Sequence, residues 1–288
     1  MTEPMLMRDR LHARRDDLTA AERRLTALLR GETMVAGLQS ITRLAEQAGV
    51  STPTVVRLAR KLGFDGFPAM QDAIREEVAA RIKAPLAKLQ PAAPGAAQDH
   101  VVARFAGAVV ANLDRTLERL DLADFDRAAD LVADPARDLH LLGGRITRSN
   151  AHYLYNHLQI IRPRVHLLDG SPSVWPQALL DVGERSTLVL FDIRRYEKEI
   201  ERLAGLAVGQ GAAIVLFTDV WGSPVERHAA ATLRAAVEVP SSWDSTLGLA
   251  FLAEALIAEV QRRAEASGAE RIAALERTIG ATRLFGGG

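Results

Sequence analysis

Three short segments bring together residue types that can do chemistry. The first is Ser51-Thr52-Pro53-Thr54, followed by Arg57, Arg60 and Lys61. Short hydroxyls with guanidinium and ammonium groups a turn or two later suit a helix entering the major groove by its N-terminus. Thr52 and Thr54 are placed to reach phosphate or base edges, and Arg57 a guanine or a phosphate. The second segment is Gly143-Gly144-Arg145-Ile146-Thr147-Arg148-Ser149. Its glycines let the backbone come close to a ligand, and its amides and hydroxyls face the start of a helix, which favours anions. The third is Asp192-Ile193-Arg194-Arg195-Tyr196-Glu197. Arg145, Arg148, Arg194 and Arg195 reach one rim if the strands before these turns are neighbours, and could clamp a phosphate or carboxylate. An equal alternative is that these arginines pair with Asp192, Glu197 and Glu199. Beyond them, Ser223-Pro224 reads either as a loop that closes a pocket or as a helix cap, whereas Asp244-Ser245 reads as a cap.

Other chemistries are excluded. The chain of 288 residues has no cysteine, so it has no disulfide, thiolate metal site or cysteine nucleophile, and it suits a reducing cytoplasm. Lys+Arg and Asp+Glu both number 36, so neither a polycation nor an acidic tail protein is expected. The most apolar late stretch, LGLAFLAEALIAEV, carries Glu254 and Glu259 and is too short to cross a bilayer, and the start MTEPMLMRDRLHARRDD lacks a signal peptide's apolar run. His140, His152, His157, His166 and His228 are scattered without metal-ligand spacing, so no metal and no cofactor are expected. Glu197 remains as a general base, should the chain be an enzyme.

The elements that must position these residues are legible. Ile41 to Leu62 reads as two short helices meeting steeply across a turn. Ala45 is small where the helices approach, Gly49 ends the first with a positive φ, and Ser51 caps the second, with Pro53 in its first turn. Leu44, Ala48, Val50, Val55 and Leu58 fill the wedge. Thr19 and Glu22 form a capping box for the preceding helix, and a helix from Pro68 to Ile82 follows Gly63-Phe64-Asp65-Gly66-Phe67. Pro85, Pro91, Pro94 and Gly95 mark a linker over residues 84–97, dividing residues 1–83 from residues 98–288. Residues 1–85 carry 14 basic and 11 acidic side chains, so the basic surplus lies before the linker.

After a long helix, about Gln98 to Leu120, apolar runs alternate with helices. DLHLLGG, RVHLLD, STLVLFD and AAIVLFTD read as strands, and ATLRAAVEV as a weaker one. Helices are expected at Thr147–Ile160, Pro172–Asp181 and Glu197–Gln210. Two more, Trp243–Arg263 and Ala269–Leu284, close the chain. Continuous apolar strands separated by helices mean a parallel sheet covered on both faces. The fold class is therefore an all-α helix-turn-helix domain followed by an α/β domain.

The T-x-x-E-x-x-L start at Thr19, the S-x-x-T-V-V-R-x-x-x-K-L core at Ser51 and the following G-F-x-G-F resemble the RpiR-type transcription regulators. The resemblance implies a sugar-isomerase (SIS) domain after the linker, serving as a phosphosugar sensor. Thr147 and Ser149 lie nearest the family's first-turn hydroxyl. Where that family has a serine-rich turn this chain reads DIRRYEKE, and where it has G-x-G-x-S this chain reads GGRITRS. The resemblance thus implies a sensor pocket more firmly than its phosphate chemistry. The expected function is a transcription regulator that binds a double-stranded DNA operator and responds to a small anionic metabolite. It would act as a homodimer or homotetramer with no membrane association. SIS domains also occur in aldose-ketose isomerases, so a sugar-phosphate isomerase is the alternative.

Overall fold

The computed structural model describes residues 5–29, 31–82, 100–168 and 170–282. The chain divides into two compact units, residues 1–88 and 89–288. The expected linker over 84–97 lies outside the described residues.

The first unit is helical: α1 (Met7–Ala13), α2 (Ala20–Leu28), α3 (Ile41–Ala48), α4 (Thr52–Lys61) and α5 (Phe67–Ile82), with 3-10 turns at Arg15–Asp17 and Gly31–Leu38. The Thr19–Glu22 capping box is present: the Glu22 carboxylate accepts from the Thr19 N–H at 2.8 Å, and the Thr19 hydroxyl from the Glu22 N–H at 3.3 Å. Leu25, Leu44, Val55, Leu58, Met70 and Ile74 are fully buried in one core, with Ala45 and Ala48 at the α3–α4 crossing. Val50 is only partly buried against it. Gly49 ends α3 at φ 60°, and its N–H donates to the Ala45 and Glu46 carbonyls. A Cβ built there meets nothing within 4 Å. The backbone alone demands glycine at this turn.

The second unit holds α6 (Val101–Glu118), α7 (Leu122–Ala133), β1 (Asp138–Gly143), α8 (Arg148–Ile161), β2 (Val165–Leu167), α9 (Trp175–Leu179), β3 (Ser186–Asp192), α10 (Lys198–Gly209), β4 (Ala213–Asp219), β5 (Ala231–Ala235) and α11 (Leu247–Thr282). The five strands form one sheet in the order β2-β1-β3-β4-β5, parallel throughout. Alternation along the strands divides the side chains between two cores. Leu139, Leu141, Val189, Phe191, Val215 and Phe217 pack with α7, α8 and α11. Leu142, Leu188, Leu190, Ile214 and Leu216 pack with Ile200, Leu203 and Ala207 of α10. Every residue of β3 is buried, which is why it reads as an unbroken apolar run. From β1 the chain passes to β2 on one side and then to β3 on the other. The strand order reverses between β1 and β3, and the crevice outside their carboxyl ends is where open sheets of this kind take ligands.

Three expectations need correction. The last two helices are one: α11 runs unbroken through Gly268 to Thr282. An interior glycine costs about 1 kcal/mol, which does not end a helix supported by packing. Here Gly268 lies against Ile161 of α8, and Arg271 donates to the Gln159 carbonyl at 2.9 Å. The helix also starts at Leu247 rather than Trp243, because the Ser245 hydroxyl accepts from the Leu247 N–H. The helix expected over Pro172–Asp181 is a 3-10 turn at Pro172–Val174 running into the short α9. Among the described residues, no helix is long and apolar enough to cross a membrane.

Gly49→Ala should destabilise the first unit by about 1–2 kcal/mol through the left-handed backbone alone, with Gly49→Asn costing less. Chemical denaturation followed by circular dichroism measures this, and equal stability for all three proteins would contradict it.

Candidate DNA-binding and effector sites

The outer face of α4 is narrower than the sequence suggests. Ser51, Pro53, Arg57 and Arg60 are exposed, and Thr52 and Val56 are partly so. Thr54 is buried, at 5% exposure, and is not available to bases or phosphates. Its hydroxyl lies 3.0 Å from that of Ser51 and accepts from the Arg57 guanidinium at 3.0 Å, so it orients Arg57. Ser51 occupies the cap position, yet its side chain bonds to Thr54 rather than to a backbone N–H. Arg43 on α3 is exposed too, and the reading centred on α4 overlooked it.

Lys61 is also reassigned. Its ammonium lies 2.8 Å from the Glu22 carboxylate and donates to the Asp17 carbonyl at 2.8 Å. Glu22 is buried at 4% exposure. Burial would raise its pKa, but Lys61 and the Thr19 hydrogen bonds outweigh this and hold the carboxyl below its ordinary 4.5. Lys61 therefore neutralises a buried acid, and its charge is spent within the unit.

In the second unit, Gly143-Gly144 and Asp192 lie at adjacent strand ends, with Gly143 paired to Phe191. Gly143 has no room for a side chain, since a Cβ would stand 2.4 Å from the Thr147 carbonyl oxygen. Thr147 is buried, and its hydroxyl donates to the Phe191 carbonyl at 2.7 Å, which removes it from ligand contact. The Ser149 hydroxyl is exposed and donates to the Ile146 carbonyl. Arg145, Arg148 and Arg195 are exposed.

Arg194 departs from the clamp reading. At φ 55° it takes a left-handed backbone rare outside glycine, and its N–H donates to Asp219 at 2.7 Å. Its guanidinium pairs with Asp244 at 2.9 Å and Glu238 at 3.0 Å and lies 3.6 Å from the Trp221 ring centroid. Its charge is thus balanced inside the fold, by acids other than those the sequence nominated. Asp244, read as a cap, serves instead as the partner of Arg194. Ser223 is buried; it caps the following 3-10 turn and donates to Asp192. Asp192 itself is 2% exposed and accepts from the Glu197 N–H at 3.3 Å. Burial pushes its carboxyl up to about 6, against the lowering by Ser223 and the Glu197 N–H, with Asp219 and Glu197 adding to the rise. Asp219 is fully buried, and burial raises its pKa as well, although Tyr196, Arg194 and Trp221 donate to it. Of the residues the sequence nominated as ligand-facing, Arg145, Arg148, Ser149 and Arg195 are exposed on the turns after β1 and β3, whereas Gly143 and Gly144 are buried. Thr147, Asp192, Arg194 and Ser223 are engaged within the fold.

Residues 5–81 match the family model for the helix-turn-helix domain of the rpiR family, and residues 135–258 match that for the SIS domain. The chain belongs to the RpiR family. It is a helix-turn-helix transcription regulator carrying a SIS domain. The RpiR-family relative named HTH-type transcriptional regulator HexR, from Pseudomonas aeruginosa, is 26% identical over 82% of this chain and 80% of its own length. Among solved structures, the sugar isomerase domain of an RpiR transcription factor from Sphaerobacter thermophilus covers 64% of this chain and 99% of its own, with 21% identity and a TM-score of 0.58. Vibrio vulnificus NanR, solved in complex with ManNAc-6P, covers 96% and 98%, with 18% identity and a TM-score of 0.56. At these identities the two structures establish the RpiR-type fold and not its ligand.

Asp192 generates a pH prediction. Between its ordinary 3.8 and about 6, the folded chain keeps a proton that the unfolded chain has released. Its contribution to stability therefore falls as pH rises through that window and levels off above it. Asp192→Asn keeps an acceptor for the Glu197 N–H and can donate to Ser223. The variant should melt about 2–6 °C higher than the parent above pH 7, with the gap closing towards pH 4. Melting curves across pH measure this, and a gap independent of pH would mean that Asp192 titrates normally.

Proposed function

We propose that this regulator reads a double-stranded DNA operator with Ser51, Thr52, Pro53, Arg57 and Arg60 on the exposed face of α4. A small anionic metabolite at the β1–β3 crevice alters that binding. The observation that carries the reading is the division of labour on α4. Val55, Leu58 and Ala59 are buried in the core while Arg57 and Arg60 stay exposed, so the helix keeps its cations for an external anion. In a major groove, Arg57, whose guanidinium donates to the Thr54 hydroxyl, would meet a base edge or a phosphate.

Support for the effector is of a different kind: the switch-point crevice, the glycine turn and three exposed guanidinium groups favour a phosphate or carboxylate. A phosphosugar is one such metabolite, and NanR of the same fold was solved with one. The role is regulatory rather than catalytic. Asp192 and Asp219, the buried acids at the strand ends, are engaged by Ser223, Tyr196 and backbone N–H groups. The His140 ring lies within β1 rather than at its carboxyl end. A cytoplasmic location accords with DNA as the partner.

The protein works as a homodimer or homotetramer, in which a second copy covers α6. Val101, Val102, Val110 and Leu117 on that helix are each more than half exposed, although it runs 18 residues. Two hairpins about 34–36 Å apart then meet successive major grooves of an inverted repeat.

Electrophoretic shift with DNA from upstream of the protein's own gene tests the regulator reading. Salt-sensitive, sequence-selective binding is expected, and its absence with and without metabolites would remove the reading. Arg57→Ala should weaken operator binding by about 1–3 kcal/mol. Lys61→Met should instead lower stability and leave the affinity of the folded protein nearly unchanged. For the assembly, Val102→Glu with Val110→Glu should shift the mass seen in sedimentation towards the monomer; an unaltered oligomer would place the interface elsewhere.

A further inference from the structure

We propose that Glu197 is a tethered competitor for the effector's anionic group: its carboxylate holds the amide of the first crevice turn, and an anion binds there by displacing it. The inference rests on the reading that the crevice takes the effector.

Glu197 follows the β3 turn, at the start of α10, but its side chain crosses to the β1 turn. There it accepts from the Arg145 N–H at 2.7 Å, a short charge-assisted bond. The carboxylate also lies over Gly144, where an added Cβ would stand 2.9 Å from its Oε1 atom. A glycine backbone surface and an outward amide are what a loop offers a phosphate or carboxylate. Here the chain presents its own anion to them.

Three other amides of these turns are held by acceptors that are less free to move. The Gly144 N–H donates to the Phe191 carbonyl at 3.0 Å, the Glu197 N–H to Asp192, and the Arg194 N–H to Asp219. These acceptors are a strand carbonyl and two carboxylates at most 2% exposed. The acceptor on Arg145 is different, being a half-buried side chain that can rotate away without opening a core. Arg145 and Arg148 are exposed on the same turn and Arg195 is exposed two residues before Glu197, a cationic surface that favours an incoming anion.

Glu197 has an alternative position. It occupies the cap position of α10, yet its side chain caps no amide of that helix. A displaced carboxylate can turn back to the positive end of its own helix, where negative charge is stabilised. The two positions make Glu197 a two-state element, and an anion on the Arg145 amide selects the second state.

Calorimetric titration of the full chain with inorganic phosphate, and separately with a hexose 6-phosphate, tests the proposal. Glu197→Ala and the isosteric Glu197→Gln should each bind phosphate at least tenfold more tightly than the parent, while melting near the parent's temperature. Arg145→Ala keeps the backbone amide and should lose only part of the affinity. A gain for the hexose phosphate alone would place the sugar, and not the anion, at the displaced carboxylate and overturn the proposal. Unchanged or weaker binding in both Glu197 variants, or no phosphate binding by any protein, would also overturn it. Operator binding by the same preparations separates the outcomes. DNA binding without the affinity gain defeats this proposal alone, whereas its loss in the parent defeats the regulator reading.

Discussion

A carboxylate that leaves water must have donors converging on it, and that requirement organises both units of this protein. In the first unit Glu22 is the buried acid. Its donors come from Thr19 at the start of α2 and from Lys61 at the end of α4, so the capping box and the closing turn of the hairpin meet on one charge. In the second unit Asp219 gathers the Tyr196 hydroxyl and the N–H groups of Arg194, Trp221 and Gly222. It thereby joins the loop after β3 to the loop after β4. Asp192 ties the start of α10 to Ser223 in the same way. The left-handed backbone at Arg194 is tolerable because its amide and its guanidinium both end on acids.

This requirement explains why the elements were legible in the sequence and the side-chain roles were less so. The capping box, Gly49 and the apolar wedge are local signals, and each is present. The parallel strands announced themselves through unbroken apolar runs, because burial on both faces leaves no polar alternation. Pairing across the fold leaves no such local trace. Lys61 lies 39 residues from Glu22, and Arg194 lies 44 and 50 residues from Glu238 and Asp244. The sequence shows that a cation exists at these positions but not which acid has claimed it. Thr54 misled for a related reason. Its place in the first turn of α4 suited an outward hydroxyl, but it shares its face with Val55 and Leu58 closely enough to be covered. Read from the sequence, one helix ends at Arg263 and the next begins at Ala269; Gly268 lies in that gap, and its packing against Ile161 carries the helix through it.

The same accounting distinguishes the two recognition surfaces. On α4 the fold consumes Lys61 and leaves Arg57 and Arg60, so the surface remains cationic and its affinity for DNA should be strongly screened by salt. At the β1–β3 strand ends Arg194 is neutralised and Asp192 and Asp219 are enclosed, while Arg145, Arg148 and Arg195 stay exposed and the Glu197 carboxylate is half-buried. Exposed guanidinium groups attract any anion, so discrimination falls to geometry: which oxygen reaches the Arg145 amide and what the rest of the ligand touches.

Regulation requires that the effector favour one of two arrangements of the protein, because a ligand with equal affinity for both shifts nothing. The loops after β3 and β4 are poor candidates for the moving part, since buried Asp219 accepts from the Arg194 N–H and the Tyr196 hydroxyl, and the Arg194 guanidinium stacks on Trp221. The β1 turn is held to α10 by a surface carboxylate, and α10 packs through Ile200 and Leu203 onto the face of the sheet opposite α8 and α11. A signal that begins at the crevice therefore enters most easily through the β1 turn and the first residues of α8. One part of its energy is the difference between an amide bonded to Glu197 and one bonded to the ligand. That difference is a few kcal/mol at most for a charge-assisted hydrogen bond. It matches the coupling that regulators of this kind need, typically about 1–3 kcal/mol.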